Sequence, residues 1–160
     1  MCGVTIRPLR ETDVELCAAI MLGLPLWQRY GTTPEDARAL FTGALTGSGR
    51  ARVAEDRGRV IGFVVYSVRG TFDRSGYVRA VGVAAGAQGR GAGDRLLHAA
   101  EEDILSHGPN VFLLVSTGNA DARRFYERRG YRWIGEIPDY VRAGIGEALY
   151  RKTLGPIRPE

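Results

Sequence analysis

A glycine-rich segment between an apolar strand and an amphipathic helix is the feature that most constrains this chain. Residues 81–93 read VGVAAGAQGRGAG, and the glycines at positions 89, 91 and 93 let the backbone turn tightly beside a ligand. The helix that follows offers unpaired N–H groups and a partial positive charge, both of which favour a phosphate group. Arg90 adds a cation. The segment predicts a phosphate or pyrophosphate site, with a plain glycine-rich turn as the alternative.

Two common nucleotide-binding patterns do not fit this segment. A Walker A motif requires Gly-Lys followed by Ser or Thr, whereas Gly91 is followed by Ala92. A dinucleotide-binding loop counted from Gly89 and Gly91 requires a third glycine at the position that Asp94 occupies. We therefore expect a phosphate-bearing ligand of another type.

Hydrophobic periodicity and turn residues predict an α/β chain with a mixed sheet. Thr12 and Glu15 are expected to form a capping box at the first helix, and Thr33 is expected to cap the second. Glu101 is expected on the solvent face of the helix after the glycine-rich segment, with Glu102 and Asp103. The predicted strands are 4–6, 51–55, 60–68, 77–83, 110–115, 131–136 and 147–152, and the helices are about 13–22, 33–45, 119–129 and the one that ends at His107-Gly108-Pro109.

The composition indicates a globular chain and favours no macromolecular partner. The 160 residues, a usual length for one domain, carry 22 Lys and Arg against 18 Asp and Glu, and the formal charge of +4 is spread along the chain. A basic stripe with interleaved aromatic residues is missing, so we expect no nucleic-acid partner. No apolar run approaches the roughly 20 residues that cross a bilayer, so we expect no membrane partner.

The cysteines and the N-terminus predict a reduced, cytoplasmic protein. Cys2 and Cys17 have neither the spacing of a zinc site nor that of a redox motif. Disulfides are rare in a reducing compartment, and residues 1–13 turn polar too early for a signal peptide. Because no His, Cys and Asp cluster stands at ligand spacing, we expect no metal.

Two motifs resemble those of the GNAT superfamily of N-acetyltransferases. Residues 88–93, QGRGAG, resemble its acetyl-CoA-binding loop, Gln/Arg-x-x-Gly-x-Gly/Ala. The second is Asn119-x-x-Ala122-x-x-Phe125-Tyr126, which precedes Gly130-Tyr131 and resembles the next motif of the superfamily. The predicted element order matches that fold over nearly the whole chain, and residues 137–140 with 148–152 look like the closing hairpin of small bacterial and archaeal members. The resemblance implies one N-acetyltransferase domain over residues 1–160, with a mixed six- to seven-stranded sheet, helices on both faces and splayed fourth and fifth strands.

The resemblance also implies a reaction, in which acetyl-CoA gives its acetyl group to a primary amine by direct attack in a ternary complex. The backbone N–H of Val83 would hold the thioester carbonyl, and Tyr126 would protonate the leaving thiolate. Arg128 is the candidate for the 3′-phosphate of the cofactor. The full set of implied cofactor-binding residues is Val81, Gly82, Val83, Gln88, Gly89, Arg90, Gly91, Ala92, Gly93, Asn119, Ala122, Tyr126 and Arg128.

The sequence does not determine which group accepts the proton of the amine, or which amine is the acceptor substrate. Family members often carry a Glu on the fourth strand, but residues 77–81 read YVRAV, so Asp73, Glu35 or a chain of waters are the alternatives. The acceptor groove would be framed by Trp27, Tyr30 and Tyr140, with Asp139 able to attract an amine. The acceptor can be a small-molecule amine or a peptide amine, and the oligomeric state, a homodimer included, is not determined.

A different class of protein is the alternative. A non-catalytic acyl-CoA-binding regulatory module can share the same fold. The intact Tyr126 and the unbroken glycine-rich segment favour the enzyme.

Overall fold

A computed structural model describes residues 3–160 of the chain, so the expectation for Cys2 lies outside the described residues. Within that range seven strands form one sheet in the order β1-β2-β3-β4-β5-β7-β6. Every predicted strand is present. The strands are β1 (Val4–Pro8), β2 (Arg50–Asp56), β3 (Arg59–Thr71), β4 (Ser75–Val83), β5 (Asn110–Ser116), β6 (Arg132–Ile137) and β7 (Glu147–Thr153).

Helices cover both faces of this sheet, as the resemblance to the GNAT superfamily implies. Cys17 and Met21 of the first helix and Phe41 of the third pack against one face, beside Phe63 of β3. On the opposite face Leu96 and its neighbours in the fourth helix pack against the other core cluster. The helices are α1 (Val14–Leu22), α2 (Pro25–Tyr30), α3 (Pro34–Thr46), α4 (Ala92–Leu105) and α5 (Ala120–Glu127).

The β4 and β5 strands are parallel, and they separate part of the way along. Their register joins Gly76–Val78 to Val111–Leu113, although β4 continues to Val83 and β5 to Ser116. On the other edge of β4, two consecutive residues of β3 pair with Ala80 and with Val78. Arg79 therefore has no partner in β3 and is an extra residue of β4. A bulge of this kind bends a strand and increases its twist. It coincides with the point at which β4 and β5 splay apart.

The cap of α3 is confirmed, whereas the cap predicted for the first helix is wrong. Thr33 Oγ1 accepts the backbone N–H of Asp36 at 3.1 Å, and the Asp36 carboxylate accepts the N–H of Thr33 at 3.0 Å. At the first helix, the carboxylate of Asp13 accepts the N–H of Arg10 at 2.8 Å, because a short 3₁₀ turn over Glu11–Asp13 precedes α1. This turn leaves Thr12 without a capping role.

Two further expectations need correction. The segment between the first two predicted helices contains a helix of its own, α2, which Pro25 begins and Gly31 ends at a φ of 73°. Glu101 does not face solvent, since it is 6% exposed. Its carboxylate accepts the Tyr131 hydroxyl at 2.8 Å and lies 3.0 Å from the Lys152 ammonium, so a buried ion pair compensates its charge.

Candidate active site

The glycine-rich segment forms an open cradle at the start of α4. Gly89 and Gly91 have φ angles of 80° and 82°, a left-handed conformation that glycine adopts without a Cβ penalty. A Cβ at either position would meet nothing within 4 Å, so the space beside this backbone is open. Gln88 links the segment to β4, because its side-chain amide donates to the Val83 carbonyl at 3.1 Å. The N–H groups of the first turn of α4 and the open glycines suit a phosphate group.

The gap between β4 and β5 exposes part of the β4 backbone. The N–H of Ala84 donates to the carbonyl of Ile61 in β3 at 2.8 Å. Hydrogen bonding alternates along an antiparallel strand, so the backbone groups of Val81 and Val83 point away from β3, toward the splayed edge. An extended ligand lying in the gap can therefore pair with them.

Two cavities meet at this edge. The first has a volume of about 520 Å³ and follows the cradle along α5. The second, of about 870 Å³, lies between α2, the end of β5 and the segment before β7. Their shared lining residues are Val81, Val83, Gln88, Asp121, Ala122 and Tyr126. A ligand in one cavity can thus reach a ligand in the other across Tyr126.

Tyr126 is a half-buried residue of α5. Its ring lies edge-on to those of Phe125 and Tyr131, with centroid distances of 5.1 and 5.6 Å. Within residues 3–160 its hydroxyl has no hydrogen-bond partner. Burial raises the pKa of Tyr126 to about 12, while Arg129 acts in the opposite direction. The phenol is therefore protonated at neutral pH and available as a donor to a ligand.

The cradle side of the site brings together most of the residues expected there. The first cavity is lined by Val81, Val83, Gln88, Gly89, Gly91, Ala92, Gly93, Ala122 and Tyr126. Gly82 lines the second cavity, and a Cβ there would lie 2.6 Å from the Phe63 ring, so packing also requires this glycine. Asn119 lines the second cavity as well, and its side chain caps α5 by accepting the N–H of Ala122 at 3.1 Å.

Two predicted arginines lie away from the cavities. Arg90 turns back on its own segment, where its guanidinium donates to the Gly86 carbonyl at 3.3 Å and lies 3.8 Å from Asp56. Arg128 is exposed and lines neither cavity. Arg129, which the sequence reasoning missed, lines the first cavity. The spacing contained the signal, since positions 122, 126 and 129 share one face of the helix predicted over 119–129 and position 128 does not.

The expected acceptor side is also assembled around one cavity. Trp27, Tyr30 and Tyr140 all line the second cavity, and the Trp27 ring also packs on Phe63 with centroids 5.7 Å apart. Asp139 does not line it, because its carboxylate accepts the N–H of Gly144 at 2.6 Å. The Tyr30 hydroxyl donates to the carboxylate of Glu147.

The carboxylates expected as proton acceptors lie elsewhere. Asp73 is exposed in the turn between β3 and β4, Glu35 is exposed in the first turn of α3, and neither lines the second cavity. Sequence reasoning missed Glu147, a buried carboxylate that does line it. Its signal was faint, a single acidic residue directly before the apolar residues 148–150 of the strand.

Among the described residues, no three His, Cys, Asp or Glu side chains are grouped to hold a metal ion. None of the helices within residues 3–160 has both the length and the apolar character that a membrane crossing needs.

A glycine cradle that leads into a split sheet defines a class of protein that binds an extended, phosphate-bearing ligand. The family match makes this class specific. Residues 19–131, more than half of the chain, match the acetyltransferase (GNAT) family, and the chain belongs to that family. GNAT acetyltransferases use acetyl-CoA as acyl donor, and the cradle, the free edge of β4 and the first cavity of this chain fit such a group.

Individual relatives agree with this assignment. The blasticidin-S acetyltransferase of Streptomyces morookaense is 40% identical over 72 residues, which are 45% of this chain and 52% of that protein. The match thus spans about half the length of that relative.

Solved structures share the fold over nearly the full chain. A Desulfovibrio desulfuricans protein assigned to the GNAT family is 24% identical, with a TM-score of 0.79 over 95% of this chain and 99% of that one. A Salmonella typhimurium structure that contains its cofactor acetyl-CoA is 18% identical, with a TM-score of 0.76 over 99% of this chain and 98% of that one.

Proposed function

We propose that the chain transfers an acetyl group from acetyl-CoA to a primary amine, by direct attack in a ternary complex. The observation that carries the proposal is the meeting of two cavities at one point, where Tyr126 and the free edge of β4 line both. A donor and an acceptor that enter from opposite sides come together there without a covalent enzyme intermediate. Bringing two reactants together in this way supplies a large part of a catalytic effect.

The cradle and α5 are the proposed holding elements for the donor. Gly89, Gly91 and the first turn of α4 would bind the pyrophosphate, and Val81 and Val83 would pair with the pantetheine arm. Arg129 would add a cation on the α5 side. Bound acetyl-CoA supplies the acetyl group in activated form, as a thioester. The remaining proposed contacts come from Gly82, Gln88, Arg90, Ala92, Gly93, Asn119, Ala122 and Arg128.

Two groups of the chain are proposed to act on the reacting atoms. The N–H of Val83 points into the gap and would donate to the thioester carbonyl oxygen, an interaction that strengthens as negative charge develops there. The Tyr126 hydroxyl, free of hydrogen bonds to residues 3–160, would give its proton to the departing sulfur. Trp27, Tyr30 and Tyr140 would form the walls for the acceptor.

A thiol-release assay with acetyl-CoA tests the proposal against a panel of amines, amino acids and short peptides. Blasticidin S is the first acceptor to try, because part of the chain is 40% identical to a blasticidin-S acetyltransferase. Calorimetric titration with acetyl-CoA measures binding separately. Amine-dependent thiol release supports acetyl transfer. Tight acetyl-CoA binding with no release across the panel would instead identify a non-catalytic acyl-CoA-binding module.

A further inference from the structure

Glu147 is a buried carboxylate that has no cation beside it among residues 3–160. The residue is 3% exposed at the start of β7. In the described part of the chain, no Lys, Arg or His nitrogen lies within 4.0 Å of its carboxylate. Its side-chain partner is the neutral hydroxyl of Tyr30, which donates across 117 positions of sequence.

The other buried acids of the fold, in contrast, each have a cation beside them. Asp13, also 3% exposed, forms a salt bridge with Arg7 at 2.7 Å. Glu101 forms one with Lys152 at 3.0 Å. Removing a carboxylate from water costs free energy that a nearby cation offsets. At Glu147 none of the described residues provides that cation, and the side chain faces a cavity that a ligand can enter.

Several charged and titratable groups share the cavity with Glu147. They come from α2, β4, α5 and the segment before β7, and they are Arg29, Tyr77, Arg79, Asp121, Tyr126 and Tyr140. Asp121 already pairs with Arg124, and on β6 the Glu136 carboxylate lies against Gly146. Neither Arg29 nor Arg79 reaches ion-pair distance of Glu147. The cavity therefore combines one uncompensated buried anion with neutral phenols and more distant guanidinium groups.

Tyr30 fixes the carboxylate and stays protonated. Burial, and then the bond to Glu147, raise the pKa of Tyr30 well above the ordinary tyrosine value. Burial also raises the pKa of Glu147, while the hydrogen bond from Tyr30 acts in the opposite direction. A bound cation would favour the ionised carboxylate further.

We infer that Glu147, held by the Tyr30 hydroxyl, binds the ammonium group of the acceptor and takes the proton that the nitrogen must lose before it attacks. The acceptor is accordingly a primary amine that arrives as a cation. This inference rests on the proposed acetyl transfer and names the substrate class and the proton acceptor of that same site.

The step balances without a further reactant. An ammonium N–H bond breaks and an O–H bond forms at Glu147. The freed lone pair forms the C–N bond with the thioester carbon as the C–S bond breaks, and the sulfur takes its proton from Tyr126. The nitrogen loses its second proton as the amide forms, and that proton passes through solvent to the Tyr126 phenolate. Glu147 releases the first proton to solvent, so the net products are the amide, the free thiol of CoA and one proton.

A binding experiment tests the ammonium site independently of turnover. Trp27 lines the cavity, and a Trp133→Phe background leaves it the one tryptophan of the chain, since the sequence has two. Its fluorescence, with CoA present, follows titration with 1-butylamine, phenethylamine and the matched neutral probes 1-butanol and 2-phenylethanol. We expect each amine to bind at least about tenfold more tightly than its alcohol, as for a hydrogen bond to a charged group.

Variants assign this preference to Glu147. Glu147→Gln should abolish the preference, and Glu35→Gln, at an exposed carboxylate outside the cavity, should keep it. Circular dichroism and acetyl-CoA affinity check the fold of each variant. Equal binding of amines and alcohols to the unmodified protein would overturn the inference without any variant, and so would a preference that survives in Glu147→Gln.

A pH profile tests proton transfer, with the acceptor that the thiol-release assay selects. We expect kcat/KM to rise with pH through the titration of Glu147, and Glu147→Gln to lower it about 100-fold. Tyr30→Phe removes a bond that favours the ionised carboxylate, so the rising limb should move to higher pH. A rising limb at the same pH in Tyr30→Phe as in the unmodified protein would overturn the role of the Tyr30 and Glu147 pair.

The two proposals fail differently. An amine preference that depends on Glu147, without acetyl transfer to any amine, refutes the proposed function and the proton-transfer role while the ammonium site stands. Acetyl transfer that Glu147→Gln leaves unchanged refutes the role of Glu147 while the proposed function stands.

Discussion

Arg129 and Asp94 form an ion pair that joins the residues after α5 to the first turn of α4. The Arg129 guanidinium also lies over the Phe125 ring, with its central carbon 3.5 Å from the ring centroid. Asp94 stands where a dinucleotide-binding loop would have its third glycine. The pair holds an arginine on the wall of the first cavity, next to the open backbone of the glycine cradle.

Arg129→Ala should weaken acetyl-CoA about tenfold, because the cavity loses a fixed cation that can interact with phosphate. Calorimetric titration with acetyl-CoA and with its dephospho form measures this, and both forms should lose affinity alike. Arg128→Ala is the matched variant one position away. It should weaken CoA much more than dephospho-CoA if Arg128 reaches the 3′-phosphate, and an equal loss for both ligands would contradict that assignment.

Tyr126→Phe should lower kcat about 100-fold, within the usual effect of a general acid. The acetyl-CoA affinity and the melting temperature should stay nearly constant, because phenylalanine keeps the ring contacts with Phe125 and Tyr131. Steady-state kinetics with the chosen amine measures the change, and unchanged turnover would remove Tyr126 from the role.

The pH dependence of turnover should show no loss of this acid below about pH 10. Burial raises the pKa of Tyr126 to about 12, so the protonated form that donates is lost only as the pH rises through that value. Measurement of kcat from pH 7 to pH 10 checks this. A falling limb near pH 9 that Tyr126→Phe removes would show that the phenol ionises earlier.

Gly91→Ala should destabilise the fold by about 1 kcal/mol, because alanine is strained at the φ of 82°. Its Cβ would meet no atom within 4 Å, so the cost comes from backbone strain and not from a clash. Gly86→Ala is the matched control, since that glycine has open space and no positive φ. Urea unfolding should leave Gly86→Ala neutral or slightly more stable, and equal losses for both variants would refute the explanation.

Asp13→Asn should cost about 2 kcal/mol of unfolding free energy, because two hydrogen bonds from the Arg7 guanidinium, at 2.7 and 3.0 Å, lose their anionic acceptor. The Arg7 hydrogen bond, against burial, lowers the pKa of Asp13 below its ordinary value of 3.8. The stability that it contributes is therefore present above about pH 4 and is lost as the pH falls through the lowered value. Denaturant unfolding from pH 7 to pH 3 measures the difference, which should shrink in acid.

Glu15→Gln is the control for that prediction. Glu15 and Arg38 form a salt bridge with side chains 71% and 51% exposed, so its removal should change stability by about 0.5 kcal/mol or less. A loss as large as that of Asp13→Asn would contradict the role given to burial.

The sequence by itself determined the order of the strands, the cradle and the family. Strand and helix periodicity is a local property, and so is the requirement for glycine where the backbone adopts a positive φ. For the same reason the cap at Thr33 was predictable, since its partner Asp36 is three residues away. Tyr126 and the glycines of the cradle were also within reach, because each belongs to a short motif.

The tertiary structure decided which distant residues meet. Tyr30 at the end of α2 meets Glu147 at the start of β7, and Glu101 meets Lys152 and Tyr131, which lie far from it along the chain. The splay of β4 from β5 coincides with a bulge at Arg79, and both show only in the register of neighbouring strands. Register and helix packing are set by the whole core, so a sequence pattern alone does not specify the acceptor side of this site.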